Sequence, residues 1–109
     1  MGVTKTENFT EAQNSLASIA KVLGHPARIA ILDYIMRTQS CVCGSIVDEI
    51  GLAQSTISQH LKELKRVGLI QGTIEGTSVC YCINIENWNN YKNQFSRLFD
   101  SINEEGVCC

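Results

Sequence analysis

Six cysteines carry most of the chemistry that this 109-residue chain can offer, and they fall in three close pairs: Cys41-x-Cys43, Cys80-x-Cys82 and Cys108-Cys109. Thiolates are soft donors that hold zinc, cuprous copper and other thiophilic ions, and paired thiols can also oxidise. Three tight pairs are not the spacing of a long-loop disulfide scaffold, so metal binding or redox chemistry is the better reading. The chain has two histidines, His25 and His60, so a histidine-rich zinc site is not expected and a sulfur-only site is.

Placement separates the pairs. On a helix with ~3.6 residues per turn, positions two apart point about 200° from each other. Cys41 and Cys43 could not then share an ion inside a regular helix, and binding would distort that helix. Residues two apart on a strand share a face, which puts Cys80 and Cys82 together, opposite Val79, Tyr81 and Ile83. The bland account of that pair is two small side chains filling a sheet surface. Cys108 and Cys109 end a tail that could swing to an ion, including one held by another subunit's Cys41 and Cys43. The metal-ligand set expected from this reading is Cys41, Cys43, Cys108 and Cys109, with Cys80 and Cys82 ranked behind them.

Positioning falls to the stretch Gly51 to Leu69. Ile57, Leu61 and Leu64 recur at helical spacing, while Gln54, Ser55, Thr56, Ser58, Gln59, His60, Lys62, Lys65 and Arg66 occupy the other face. Those polar residues can donate to phosphates or base edges. Ser55 is the expected N-cap and Gly68 the expected stop, giving a helix from Ser55 to about Val67. A short helix ahead of it, across a glycine-containing turn, completes a helix-turn-helix. The plain alternative is an αα-hairpin in a small core, but polar donors massed on the first two turns favour DNA. The expected DNA contacts are Gln54, Ser55, Thr56, Ser58, Gln59, His60, Lys62 and Lys65.

The remaining elements follow in order. Phe9, Ala12, Leu16, Ile19, Ala20 and Leu23 mark a first helix ended by Gly24. Pro26 opens a second, with Ile29, Leu32, Ile35 and Met36 as its apolar stripe. Cys41 to Ile50 reads as a short third helix or its run-in. After the fourth, Leu69–Ile74 and Ser78–Ile85 flank Glu75-Gly76-Thr77 as a β-hairpin, the wing of a winged helix. No Lys or Arg stands at its tip. A last helix from Asn87 to about Asn103 carries Trp88, Tyr91, Phe95, Leu98, Phe99 and Ile102 at helical spacing. That stripe needs a cover, and pairing of the first and last helices across a two-fold axis into a homodimer supplies one. The expected fold is mainly α with a small β-hairpin, a winged helix-turn-helix in the order α1-α2-α3-α4-β-β-α5. Residues 1–109 are one domain, with 1–8 and 104–109 as flexible tails.

Composition bounds the function. Apolar residues make up 44%, enough for one thin core. The net charge of −2 does not mark a generally basic nucleic-acid binder. Between Ala53 and Gly72, however, Lys62, Lys65 and Arg66 face a single acid, Glu63, so one face alone is suited to phosphates. No apolar run approaches the ~20 residues of a bilayer span, and Met1 to Thr10 is polar, so a cytoplasmic protein without membrane contact is expected. The neighbours of Cys41 and Cys43 offer no cation or glycine-rich anion cradle that would activate a catalytic thiol, so an enzyme is not expected.

The run LGHPARIAILDYI, then CVC, then QSTISQHLKELKRVGLI, then EGTSVCYCI resembles the ArsR/SmtB family of winged-helix metalloregulatory repressors, across roughly Leu16 to Ile85. The resemblance implies a homodimer that holds double-stranded operator DNA when empty and releases it on binding a metal or metalloid. Cys41-Val42-Cys43 is similar to the motif that starts the third helix in the arsenic/antimony and cadmium/lead sensors. This implies As(III) or Sb(III) as inducer, with Cd(II), Pb(II) or Zn(II) as alternatives and no obligatory cofactor. The chain departs from the arsenic pattern at Ile46, where such sensors often carry a third cysteine. The third thiolate must then come from Cys108-Cys109 or from Cys80 and Cys82. The cadmium branch draws cysteines from an N-terminal extension, and no cysteine precedes Cys41, which weighs against a four-thiolate cadmium site. A rival within the same fold is a repressor that senses oxidants or reactive sulfur through its paired thiols.

Overall fold

The computed structural model describes residues 6–76, 78–102 and 104–106. Five α-helices and a three-stranded antiparallel sheet follow one another as α1 (Glu11–Leu23), α2 (Pro26–Thr38), β1 (Val42–Cys43), α3 (Ile46–Ile50), α4 (Gln54–Arg66), β2 (Ile70–Glu75), β3 (Ser78–Ile83) and α5 (Ile85–Asp100). Short 3-10 turns at Thr6–Asn8 and Glu104–Gly106 fall within the segments read as tails.

Local signals set the helix starts. Thr10 Oγ1 accepts from Gln13 N and Gln13 Oε1 accepts from Thr10 N, both at 3.0 Å, a reciprocal cap on α1. His25 caps α2 through Nδ1, which accepts from Ala27 N, and Pro26 takes the first position. The buried face of α2 is Ile31, Leu32 and Ile35. The expected stripe was rotated by one position, because Ile29 and Met36 are exposed and Ile31 is fully buried. Helices α2 and α4 and the strand starts Val42, Leu69 and Ile70 meet in one core, with Trp88 and Tyr91 of α5 packed at its margin.

One region departs from expectation. Helix α3 is confined to Ile46–Ile50, and Val42–Cys43 ahead of it is a strand. That strand pairs antiparallel with β3, Val42 opposite Tyr81 and Cys43 opposite Cys80, so the sheet order is β1-β3-β2. Two causes act together. β3 offers an unpaired edge that a β-branched Val flanked by cysteines can join. Gly44, at φ 79°, then turns the chain out of the strand before helix can begin.

The N-cap of α4 lies two residues ahead of the expected Ser55: it is Ala53, which makes no side-chain capping bond. Its C-terminus is better tied. Gly68, at φ 81°, lets Leu69 N donate to Leu64 O at 3.1 Å and Gly68 N donate to Lys65 O at 3.0 Å, a Schellman ending. From α5, Asn87 Nδ2 donates to Gly68 O at 3.0 Å and the Tyr91 hydroxyl donates to Val67 O at 2.8 Å. A Cβ at Gly68 would lie 2.6 Å from Asn87 Nδ2. Gly68→Ala should therefore combine left-handed strain with loss of this clamp and lower stability by about 1–3 kcal/mol. Gly76→Ala meets nothing within 4 Å and serves as a strain-only control with a smaller loss. Thermal unfolding of the two variants checks the ordering, and equal losses would remove the clamp from the account.

Candidate functional site

The outward face of α4 keeps the polar residues in solvent. Gln54, Ser55, Thr56, Ser58, Gln59, Lys62 and Lys65 are exposed, while Ile57, Leu61 and Leu64 turn inward. Gln54 Nε2 donates to Ser58 Oγ at 3.3 Å. Arg66 is bound to Glu63 at 2.6 Å, which offsets its charge, whereas no ion pair joins Lys62 or Lys65 to another of the described residues. The Lys65 ammonium leans over Gly72 of β2, spanning the seam between helix and wing. The hairpin carries an exposed apolar pair, Ile74 opposite Val79. Val79 thus lies in solvent at the outer end of the strand face that it shares with Tyr81 and Ile83.

His60 does not belong to that face. Its ring is buried, 4.4 Å from the His25 ring centroid, and its Nδ1 accepts from Arg28 Nε at 3.1 Å. Arg28 also donates to Val22 O, so the imidazole joins α4 to the start of α2 and is not presented to a duplex. Helical spacing explains the correction: His60 lies three residues after Ile57 and four before Leu64, on the buried side. Burial foremost, then the charges of His25 and Arg28, hold its pKa below the ordinary value near 6.5. The unfolded chain takes up this proton as pH falls through about 6.5, whereas the folded chain resists until lower pH. The stability that neutral His60 confers is thus complete above about pH 6.5 and lost on acidification below it. His60→Gln should flatten the fall in unfolding midpoint between about pH 7 and pH 5, and an unchanged profile would rule His60 out as its source.

The sheet brings together what the sequence holds 37 and 41 residues apart. Continuing the β1–β3 register places Cys41 opposite Cys82 and Cys43 opposite Cys80, with Cα–Cα distances of 4.4 and 4.2 Å, and the structure joins each pair as a disulfide. Positions two apart on a strand share a face, so all four sulfurs lie on one side of the ladder. Cys80 is buried, Cys82 half-buried, and Cys41 and Cys43 exposed. Cys41 and Cys43 are therefore not in a helix, and the expected unwinding of a helix start has no helix to act on. Cys80 and Cys82, ranked last as ligands, stand directly against the Cys-Val-Cys motif. Cys108 and Cys109 lie outside the described residues. The sequence did hold a signal for this cluster: two identical C-x-C spacings, one already read as a strand and the other centred on β-branched Val42.

The cluster adjoins the reading unit along the chain. Tyr34 Oη of α2 and Ser45 Oγ share a hydrogen bond at 2.7 Å, and Arg37 of α2 pairs with Glu49 of α3 at 3.1 Å. Cys43 lies just before that tethered segment, and the chain between Cys43 and Cys80 contains α3, α4 and β2.

Helix-turn-helix, exposed polar second helix and β-hairpin wing together define a winged helix-turn-helix transcription regulator. No helix among the described residues is long and apolar enough to cross a membrane. Residues 25–71 match the model of the bacterial regulatory protein, arsR family. The chain is 40% identical over 74 residues to an uncharacterised HTH-type transcriptional regulator of Methanocaldococcus jannaschii, covering 67% of this chain and 82% of that one. It is 30% identical over 96 residues to the arsenical resistance operon repressor of Staphylococcus xylosus, covering 86% and 88% respectively. The chain belongs to the ArsR family, and is a transcriptional regulator of the ArsR/SmtB kind rather than an enzyme. It spans 52% of the length of another relative, the repressor SmtB of Mycobacterium tuberculosis, at 35% identity over 71 residues. Among solved structures, a homodimeric winged helix-turn-helix DNA-binding domain from Mycobacterium bovis superposes with a TM-score of 0.65 at 22% identity, covering all of this chain and 98% of that one.

Proposed function

We propose that this regulator is a homodimeric repressor that releases operator DNA when As(III) or Sb(III) takes thiolates from the Cys41, Cys43, Cys80 and Cys82 cluster. The observation that carries the reading is the antiparallel register that sets the two C-x-C motifs face to face. Trivalent arsenic and antimony take three sulfurs in a pyramid, and any three of these four thiols, once reduced, lie on one sheet face. This supplies the third donor that Ile46 does not. Cys108 and Cys109 remain candidate ligands as a tail. The 30% identity to an arsenical resistance operon repressor supports the same ligand class.

The chain's own residues supply the coupling. Gathering three sulfurs about one centre requires β1 and β3 to leave their flat pairing. β1 leads through Gly44 and Ser45 into α3, which packs on α4. A shift there re-aims Gln54, Ser55, Thr56, Ser58 and Gln59 relative to Lys62 and Lys65. A coupling of ~1–3 kcal/mol suffices for a roughly 5- to 150-fold loss of affinity. Pairing of two protomers through α1 and α5 doubles the few cationic contacts that one copy offers. Exposed Phe9, Leu98, Phe99 and Ile102 support that interface, as does the homodimeric relative from M. bovis.

A second reading, release on oxidation, is favoured by the pairing of Cys41 with Cys82 and Cys43 with Cys80 as disulfides. Operator binding by the phosphine-reduced protein, challenged with arsenite and separately with an oxidant, distinguishes the two. Arsenite should release DNA under sustained reduction, and Cys41→Ser/Cys43→Ser should abolish the response. Release by oxidant alone, reversed by reductant, would move the function to the second reading. On the DNA side, Gln59→Ala should weaken operator binding by about 1–3 kcal/mol at constant salt without lowering the unfolding midpoint. Full retention of affinity would take Gln59 out of the contact set.

A further inference from the structure

Beside Cys41 and Cys82 the surface opens into a hollow of about 320 Å³, walled by Ile35, Met36, Ile83, Ile85 and Trp88 with Gln39 and Ser40 at the rim. Its lining is mainly apolar. Two thiols at the edge of an apolar hollow suit a ligand with a thiophilic head and an apolar substituent. Resting on the sensing reading above, we infer that reduced Cys41 and Cys82 form a dithiol site for trivalent organoarsenicals, with the organic group seated in this hollow. Inorganic arsenite has no group to place there. An arsenic that already bears one carbon needs two sulfurs, so the Cys41–Cys82 pair is sufficient and Cys43 and Cys80 are not required.

The chemistry balances with named partners. An external thiol or phosphine first reduces the Cys41–Cys82 disulfide and is itself oxidised. Phenylarsine oxide then condenses with the two thiols: two As–S bonds form, the As–O bond breaks, and the two thiol protons leave with the oxygen as one water. Arsenic stays trivalent throughout.

Trp88 is the chain's single tryptophan and part of the wall, so its emission reports occupancy of the hollow. The test uses the full-length reduced chain carrying Cys43→Ser, Cys80→Ser, Cys108→Ser and Cys109→Ser, which leaves Cys41 and Cys82 as the only thiols. Phenylarsine oxide should bind one to one, change Trp88 emission, and bind at least about tenfold tighter than arsenite, as burial of an aromatic group predicts. Ser40→Phe, which fills the rim, should weaken phenylarsine oxide about tenfold or more in this background, while arsenite still releases DNA from the otherwise wild-type Ser40→Phe protein. Met36→Phe adds bulk at another lining position and provides the same comparison if Ser40→Phe does not fold. Equal affinity for the two arsenicals, or binding indifferent to both fillings and silent at Trp88, overturns the inference. Such a result alongside arsenite release from the wild-type protein leaves the sensing reading standing, whereas failure of both arsenicals to engage the thiols overturns both.

Discussion

The antiparallel ladder between β1 and β3 is the constraint from which the rest follows. It is two residues long on the β1 side, yet its register decides which sulfur faces which. Shifted by one residue, Val42 would leave the core and the cysteines would point to the other side. Val42 is buried, so the register is held by apolar packing and not by the sulfurs alone. The segment it encloses, from Cys43 to Cys80, is the DNA-reading unit of α3, α4 and β2. Closing a loop of 37 residues restricts the open chain by about 4 kcal/mol on the loop-entropy account, a large share of the roughly 5–15 kcal/mol that stabilises an ordinary domain. The second bridge, two residues further out on each strand, adds little to that restriction. The bonding state of one sulfur pair is thus large enough on this scale to matter to the whole reading unit.

The reading helix is held unevenly. At its C-terminal end Gly68, Asn87 and Tyr91 satisfy the backbone carbonyls of Val67 and Gly68 and fix α4 to α5. In its middle the bond from Arg28 to His60 fixes it to α2. At its N-terminal end Ala53 gives no side-chain cap, and the covalent neighbour is α3 beyond Gly51 at φ 80°. The exposed polar residues Gln54, Ser55, Thr56, Ser58 and Gln59 stand on that end. On the proposed mechanism, a disturbance entering through β1 and α3 would reach α4 at the end that has no side-chain cap.

Much of the fold was legible in one dimension because its signals are local. Pro26, Gly24 and Gly68 punctuate the helices within a few residues of where they act, although the cap expected at Ser55 falls inside α4. Ile57, Leu61 and Leu64 mark the inner face of α4 by spacing alone, and the Gly76 turn announces the wing. The errors have local causes too. Reading polarity before period put His60 outside, although its spacing from Ile57 and Leu64 lay on the buried side. On α2, Ile29-Ala30-Ile31-Leu32 is apolar throughout and leaves the phase of the stripe open, so spacing alone does not choose Ile31 over Ile29.

The sequence by itself determined the five helices in order, the β-hairpin and the presence of two C-x-C motifs, since each depends on contacts a few residues apart. Only the tertiary structure decided that those motifs face each other, that Cys41 and Cys43 leave the helix, and that an apolar hollow lies beside Cys82. Those outcomes depend on a strand edge about forty positions away. Pairing across such a distance is chosen by the burial of Val42 and the turn at Gly44 acting in a folded core, and no window along the chain contains both partners.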